Sequence, residues 1–166
     1  MPLKTNIALV SLYDSFTNKL SDALAWELGL YYANVQDIMA YEIINPSEIE
    51  QKCGLEYLNQ LKDKSFSAIM EYENSCIALP FAQYSSKSNY KLVSKNALTI
   101  FIKMPYALYE KFFKGKKNKD IVSAIAFEDR NKFCQKHADI VLEVSNTATK
   151  LNINKIKKQI LSYYSK

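Results

Sequence analysis

Residues Ser11 to Asn18 hold the spacing of a phosphate-binding loop without its chemistry. Such a loop reads G-x-x-x-x-G-K-[ST]. Its glycines let the backbone bend and turn N–H groups onto phosphates, its lysine offsets their charge, and its hydroxyl holds magnesium. The eight positions here read Ser11-Leu12-Tyr13-Asp14-Ser15-Phe16-Thr17-Asn18. Both glycines are missing, threonine replaces lysine, and an asparagine amide replaces the hydroxyl. Ser15, Phe16, Thr17 and Asn18 are therefore read as a degenerate nucleotide-binding loop. Lys19, a half-turn further on, points elsewhere on a 3.6-residue repeat and cannot stand in. A helix N-terminus at Thr17 attracts anions, and Asp14 just before it repels them.

The elements around these residues decide where they sit. Ile7–Leu12 reads as a buried strand, the following turn runs to Phe16, and Thr17–Leu28 reads as an amphipathic helix closed by Gly29. A second strand covers 30–33, and Val35–Ile44 is helical, stopping before Pro46. Ser47 with Glu50 forms the pattern of a capping box, opening a helical stretch to Glu71 that Gly54 interrupts. Ser75–Leu79 is a strand, Ser86–Ser94 a short helix, and Ala97–Ile102 the strongest strand in the chain. A helix from Pro105 to Phe113, a lysine-rich turn at Gly115 and a helix from Asp120 to His137 follow. Asp139–Val144 is the last strand and Ala148–Tyr164 the last helix. Strands alternating with helices predict a parallel sheet with helices on both faces. Trp26 reads as core or half-buried helix packing. No repeat, linker or boundary divides residues 1–166, which read as one domain.

With these elements in place the chain resembles the shikimate kinase family, over nearly its whole length. The family runs from a strand through G-F-M-G-S-G-K-S and a helix ending A-E-E-L-G-L-x-F to an acidic D-T-D. Here the corresponding residues are Ala25-Trp26-Glu27-Leu28-Gly29-Leu30-Tyr31-Tyr32 and then Asn34-Val35-Gln36. The G-E-x-x-F-R that carries a substrate-binding arginine reads Gly54-Leu55-Glu56-Tyr57-Leu58-Asn59. The glycine triplet reads Pro80-Phe81-Ala82. The lid R-P-L-L is replaced by Lys114-Gly115-Lys116-Lys117-Asn118-Lys119, and R-x-P-L-Y by Arg130-Asn131-Lys132-Phe133-Cys134. The resemblance implies an α/β three-layer sandwich with a five-stranded parallel sheet, order 2-3-1-4-5, in the P-loop kinase-like fold.

It also implies which chemistry has gone. Asn34 stands where a carboxylate would hold the water shell of the metal, and an amide is a poorer partner for a hard dication. Gln36 stands where a carboxylate would grip substrate hydroxyls. Arg130 is the one substrate-contacting position that survives; a surface arginine paired with Glu128 or Asp129 is the alternative. The reading is a catalytically inactive protein, a pseudoenzyme with no catalytic residues, no metal and no cofactor, acting by binding another protein or its own copy. The alternative is an ATP-dependent, Mg²⁺-dependent small-molecule kinase with a non-standard loop. Tyr13, Phe16, Pro80 and Phe81 replace bare backbone on the two loops. Burying an aromatic ring is favoured by ~1.5–3 kcal/mol. Phe16, Phe81 or both are therefore expected to fill the cleft, leaving no nucleotide-sized cavity and no bound Mg²⁺.

Composition agrees with a compact enzyme-sized fold and excludes other classes. The chain has 166 residues, 48% of them hydrophobic, and no apolar run near the ~20 residues of a membrane span. Three cysteines, an odd number without metal-like spacing, read as reduced thiols in the cytoplasm. The net charge of +5 concentrates in Lys111, Lys114, Lys116, Lys117, Lys119 and in Lys155, Lys157, Lys158. No nucleic-acid-binding module accompanies these lysines, so they read as a solvated face, and neither nucleic acid nor membrane is an expected partner. His137, near a helix end, reads as non-catalytic.

Overall fold

The computed structural model describes residues 4–115 and 121–166. Its strands are β1 (Asn6–Val10), β2 (Tyr31–Asn34), β3 (Ser75–Ala78), β4 (Ala97–Lys103) and β5 (Ile140–Glu143). They form a five-stranded sheet of order β2-β3-β1-β4-β5 in which every pairing is parallel. This is the sheet expected from the sequence. Every residue of β1, β3 and most of β4 is buried, as a parallel sheet covered on both faces requires. Ile7 pairs with both Cys76 and Leu98, which places β1 at the centre.

The helices are α1 (Asp14–Leu28), α2 (Val35–Glu42), α3 (Pro46–Cys53), α4 (Leu55–Met70), α5 (Phe81–Ser85), α6 (Asn89–Asn96), α7 (Tyr106–Lys111), α8 (Ala124–His137) and α9 (Thr149–Tyr164). α1 packs on β3 and α9, while α4 packs against α2 and α6. Polar side chains fix the bottom of the sheet. Asn6 Oδ1 accepts the Ser75 N–H at 3.0 Å, and its amide also donates to the Tyr72 carbonyl. Asp139 accepts the Thr99 N–H at 2.9 Å and pairs with Lys4 at 3.2 Å.

Four expectations need correction. α1 starts at Asp14, three residues before Thr17. Without glycine, residues 14–16 have no means of curling at positive φ and continue the helix instead. The Ser47–Glu50 capping box does not form. Pro46 takes the first helical position, for which its fixed φ is suited, so Ser47 already lies inside α3. The stretch 86–94 gives way to two helices, α5 and α6, with Pro80 preceding the first. Trp26 is 88% exposed. It follows Leu24 by two residues, which places it on the side of α1 opposite the buried Leu20–Leu24 stripe. Gly54 does interrupt the helical stretch, at φ 91°, between α3 and α4.

Candidate functional site

The C-terminal ends of the parallel strands carry the cleft, as expected for an open α/β sheet. A cavity of about 680 Å³ is lined there by Leu12, Tyr13, Asp14 and Ser15 from the first loop and α1. Phe81, Ala82, Ser85 and Ser86 from α5, Tyr109 and Phe113 from around α7, and Arg130 from α8 complete it. Ligand pockets commonly measure ~300–1,000 Å³. The expectation of a filled cleft is therefore wrong in one part. Phe16 is buried, 4% exposed, beside Phe112 with ring centroids 5.6 Å apart. Phe81 is a wall of the cavity and does not occupy it; its ring meets Phe133 edge-on at 6.1 Å. Phe16 packs inward because it lies one turn before the buried Leu20.

Within residues 11–18 each side chain has a distinct place. Thr17 is 1% exposed, and its hydroxyl lies 2.7 Å from Ser11 Oγ, so it ties β1's end to α1 inside the core. The Thr17 N–H donates to the Tyr13 carbonyl at 3.2 Å. Ser15 is exposed at the cavity wall, and Asn18 is half-buried outside its lining. Tyr13 stacks on Phe112 at 4.2 Å between ring centroids. Lys19 lines a separate groove with Trp26 and Lys150, away from the cleft.

Asn34 does not face the cleft either. Its Oδ1 accepts the Asp37 N–H at 3.2 Å as the N-cap of α2, and its amide donates to Tyr32 Oη at 3.3 Å. Gln36 lines a small cavity of about 170 Å³ with Met39, Pro46 and Lys62. Among the described residues no group of three or more His, Cys, Asp or Glu side chains is placed to hold a metal ion. At the positions the resemblance links to magnesium, Thr17 is turned inward, Asn18 lies outside the cavity lining and Asn34 caps α2, which leaves Asp14 as the carboxylate on the cavity wall among the described residues. His137 packs on Tyr90 and Phe133, and burial lowers its pKa.

Two charged groups do converge on the cavity. Arg130 lies three residues after the buried Phe127, near the inner face of α8. Its guanidinium carbon sits 5.1 Å from the centroid of the Phe81 ring, a cation–π contact. No salt bridge joins it to Glu128 or Asp129. Asp14 went unrecognised as a site residue, although an acidic residue opening a helix was the available signal. Its carboxylate faces the Phe81 backbone N–H. As the first residue of α5, that N–H has no acceptor within its own helix. Burial pushes the Asp14 carboxyl above the ordinary carboxylate value, while the Phe81 N–H and the Arg130 charge pull it down less strongly. The lid lysines Lys116, Lys117 and Lys119 lie outside the described residues.

The fold and cleft define a P-loop kinase-like architecture. No family model matches the sequence, and no curated protein matches it. Solved structures match over nearly the whole chain. Shikimate kinase from Aquifex aeolicus is 20% identical, with a TM-score of 0.72 covering 95% of this chain and 96% of that one. Shikimate kinase from Acinetobacter baumannii, solved in complex with shikimate, is 17% identical at a TM-score of 0.74, covering 95% and 93%. Dephospho-CoA kinase from Campylobacter jejuni is 14% identical at 0.55, covering 95% and 98%. The fold of this chain is that of the shikimate kinases.

Proposed function

We infer that residues 1–166 form one shikimate-kinase-like domain that has left phosphoryl transfer and acts as a pseudoenzyme, by binding. The observation that carries this reading is Thr17. At the position of the loop lysine stands a neutral side chain hydrogen-bonded to Ser11 in the core. Phosphoryl transfer depends on charge placed against the phosphates. The helix terminus instead presents the Asp14 carboxylate beside the place an anion would take. A cytoplasmic location and a protein partner, or a second copy of the chain, belong to the same reading. Trp26, 88% exposed on α1, supports it, since tryptophan is enriched at protein interfaces.

The second reading is an ATP- and Mg²⁺-dependent small-molecule kinase with a non-standard loop. The open cavity and the retained Arg130 favour it. A coupled ADP-release assay with ATP, Mg²⁺ and shikimate separates the two. The expected result is no turnover. Turnover that Thr17→Ala abolishes overturns the pseudoenzyme reading. Thermal denaturation with ATP–Mg²⁺ is a second measurement. A ligand at 100 times its Kd stabilises a fold by about 2.7 kcal/mol, and no such gain is expected.

A further inference from the structure

Among the described residues the cleft is lined by one negative and one positive side chain, Asp14 and Arg130, with no salt bridge between them. Each is committed on one side only. The Phe81 N–H meets the Asp14 carboxylate, which has acceptor capacity left over. Arg130 lies against the Phe81 ring, and among the described residues its guanidinium has no hydrogen-bond acceptor. The same cavity is lined by Phe81, Tyr109 and Phe113 and by Ser85 and Ser86. An isolated polyanion meets the wrong sign at Asp14. An isolated cation meets it at Arg130. A molecule carrying both charges finds a complementary partner for each, and a flat apolar body suits the ring-lined wall.

We propose that the cleft binds a small zwitterion with an aromatic body, its protonated amine on the Asp14 carboxylate and its carboxylate on the Arg130 guanidinium. The assignment rests on the reading of the cleft as a binding site that no longer serves phosphoryl transfer. The upward shift of the Asp14 carboxyl agrees with it: burial outweighs what the protein supplies, and a ligand ammonium restores the balance.

Isothermal titration calorimetry on the full chain tests this with three probes: L-phenylalanine, 2-phenylethylamine without the carboxylate, and 3-phenylpropanoate without the amine. Phenylalanine is expected to bind saturably, and each truncated probe about tenfold or more weaker, the loss expected for one charged hydrogen bond. Asp14→Asn should weaken phenylalanine by a similar factor and leave 3-phenylpropanoate no weaker. Arg130→Gln should weaken both of those probes and spare 2-phenylethylamine. No saturable heat with phenylalanine up to about 10 mM overturns the assignment. So does equal affinity of the Asp14→Asn and parent proteins for phenylalanine, with both shown folded by circular dichroism. ADP release measured in the same samples keeps the two readings apart. Binding without turnover leaves both standing, while ATP-dependent turnover with an amine-bearing probe overturns only the pseudoenzyme reading.

Discussion

At the scale of single residues, Asp14 and Thr17 take opposite sides of the first loop. Thr17 is turned inward onto Ser11, and Asp14 opens α1 at the cavity. Only part of this was legible in the sequence. The missing lysine and glycines show plainly at positions 11–18, and so does Phe16's capacity to be buried. The pairing of Asp14 with Phe81 spans 67 positions of chain and depends on α5, a five-residue helix too short to leave a periodic signature. The raised Asp14 carboxyl makes a stability prediction. An acid whose folded pKa exceeds its unfolded value binds its proton more tightly when folded. Its ionised form therefore costs stability above the folded pKa, and the cost fades as pH falls toward the ordinary value of 3.8. Asp14→Asn removes the charge and keeps an acceptor for the Phe81 N–H. It should melt higher than the parent protein at pH 7, with the difference closing as pH approaches 4. A lower melting temperature at pH 7 would mean that the ionised carboxylate stabilises the fold. A gain in stability with a loss of binding is the usual trade at a ligand site.

At the scale of elements, the alternation of strand and helix sufficed for the sheet, because apolar five-residue runs bounded by turns have few other destinations. Helix starts were harder. α1, α3 and α5 each begin without a side-chain cap from their own N-cap residue, so the usual signature is missing at each. α2 is the instructive contrast. Asn34 stands where the resemblance implies a metal-linked carboxylate, yet its side chain caps α2 through the Asp37 N–H. Loss of an asparagine N-cap costs ~0.5–2 kcal/mol. Asn34→Ala should lower the unfolding free energy measured by urea denaturation by an amount in that range, and Asn34→Asp, which retains a capping oxygen, should recover most of it. Equal loss in both variants would transfer the effect to the amide bond with Tyr32.

At the scale of the whole molecule, the question is whether the sheet and its helices open as one unit. The buried side chains of β1, β3, β4 and α8 join one contiguous core, which includes Cys76 and Cys134. Both thiols are buried, and burial pushes each pKa up to about 12. The thiolate is the reactive form, so near neutral pH these two are inert in the folded protein by protonation as well as by access. Cys53, at the end of α3, is exposed. A thiol-specific chromogenic reagent should therefore modify one cysteine of three at once in native buffer, and all three in denaturing guanidinium. The slow phases test cooperativity. Cys76 lies in β3, beside the central strand, while Cys134 belongs to α8. If residues 1–166 behave as one cooperative domain, both slow thiols react only through global opening. Their rates should then share one dependence on denaturant, with a slope matching the equilibrium unfolding transition. A Cys134 that reacts faster, with a shallower slope, would place α8 in a unit that opens on its own. Arg130 would then be carried by a movable wall, and the affinity of the cleft would include the cost of closing it.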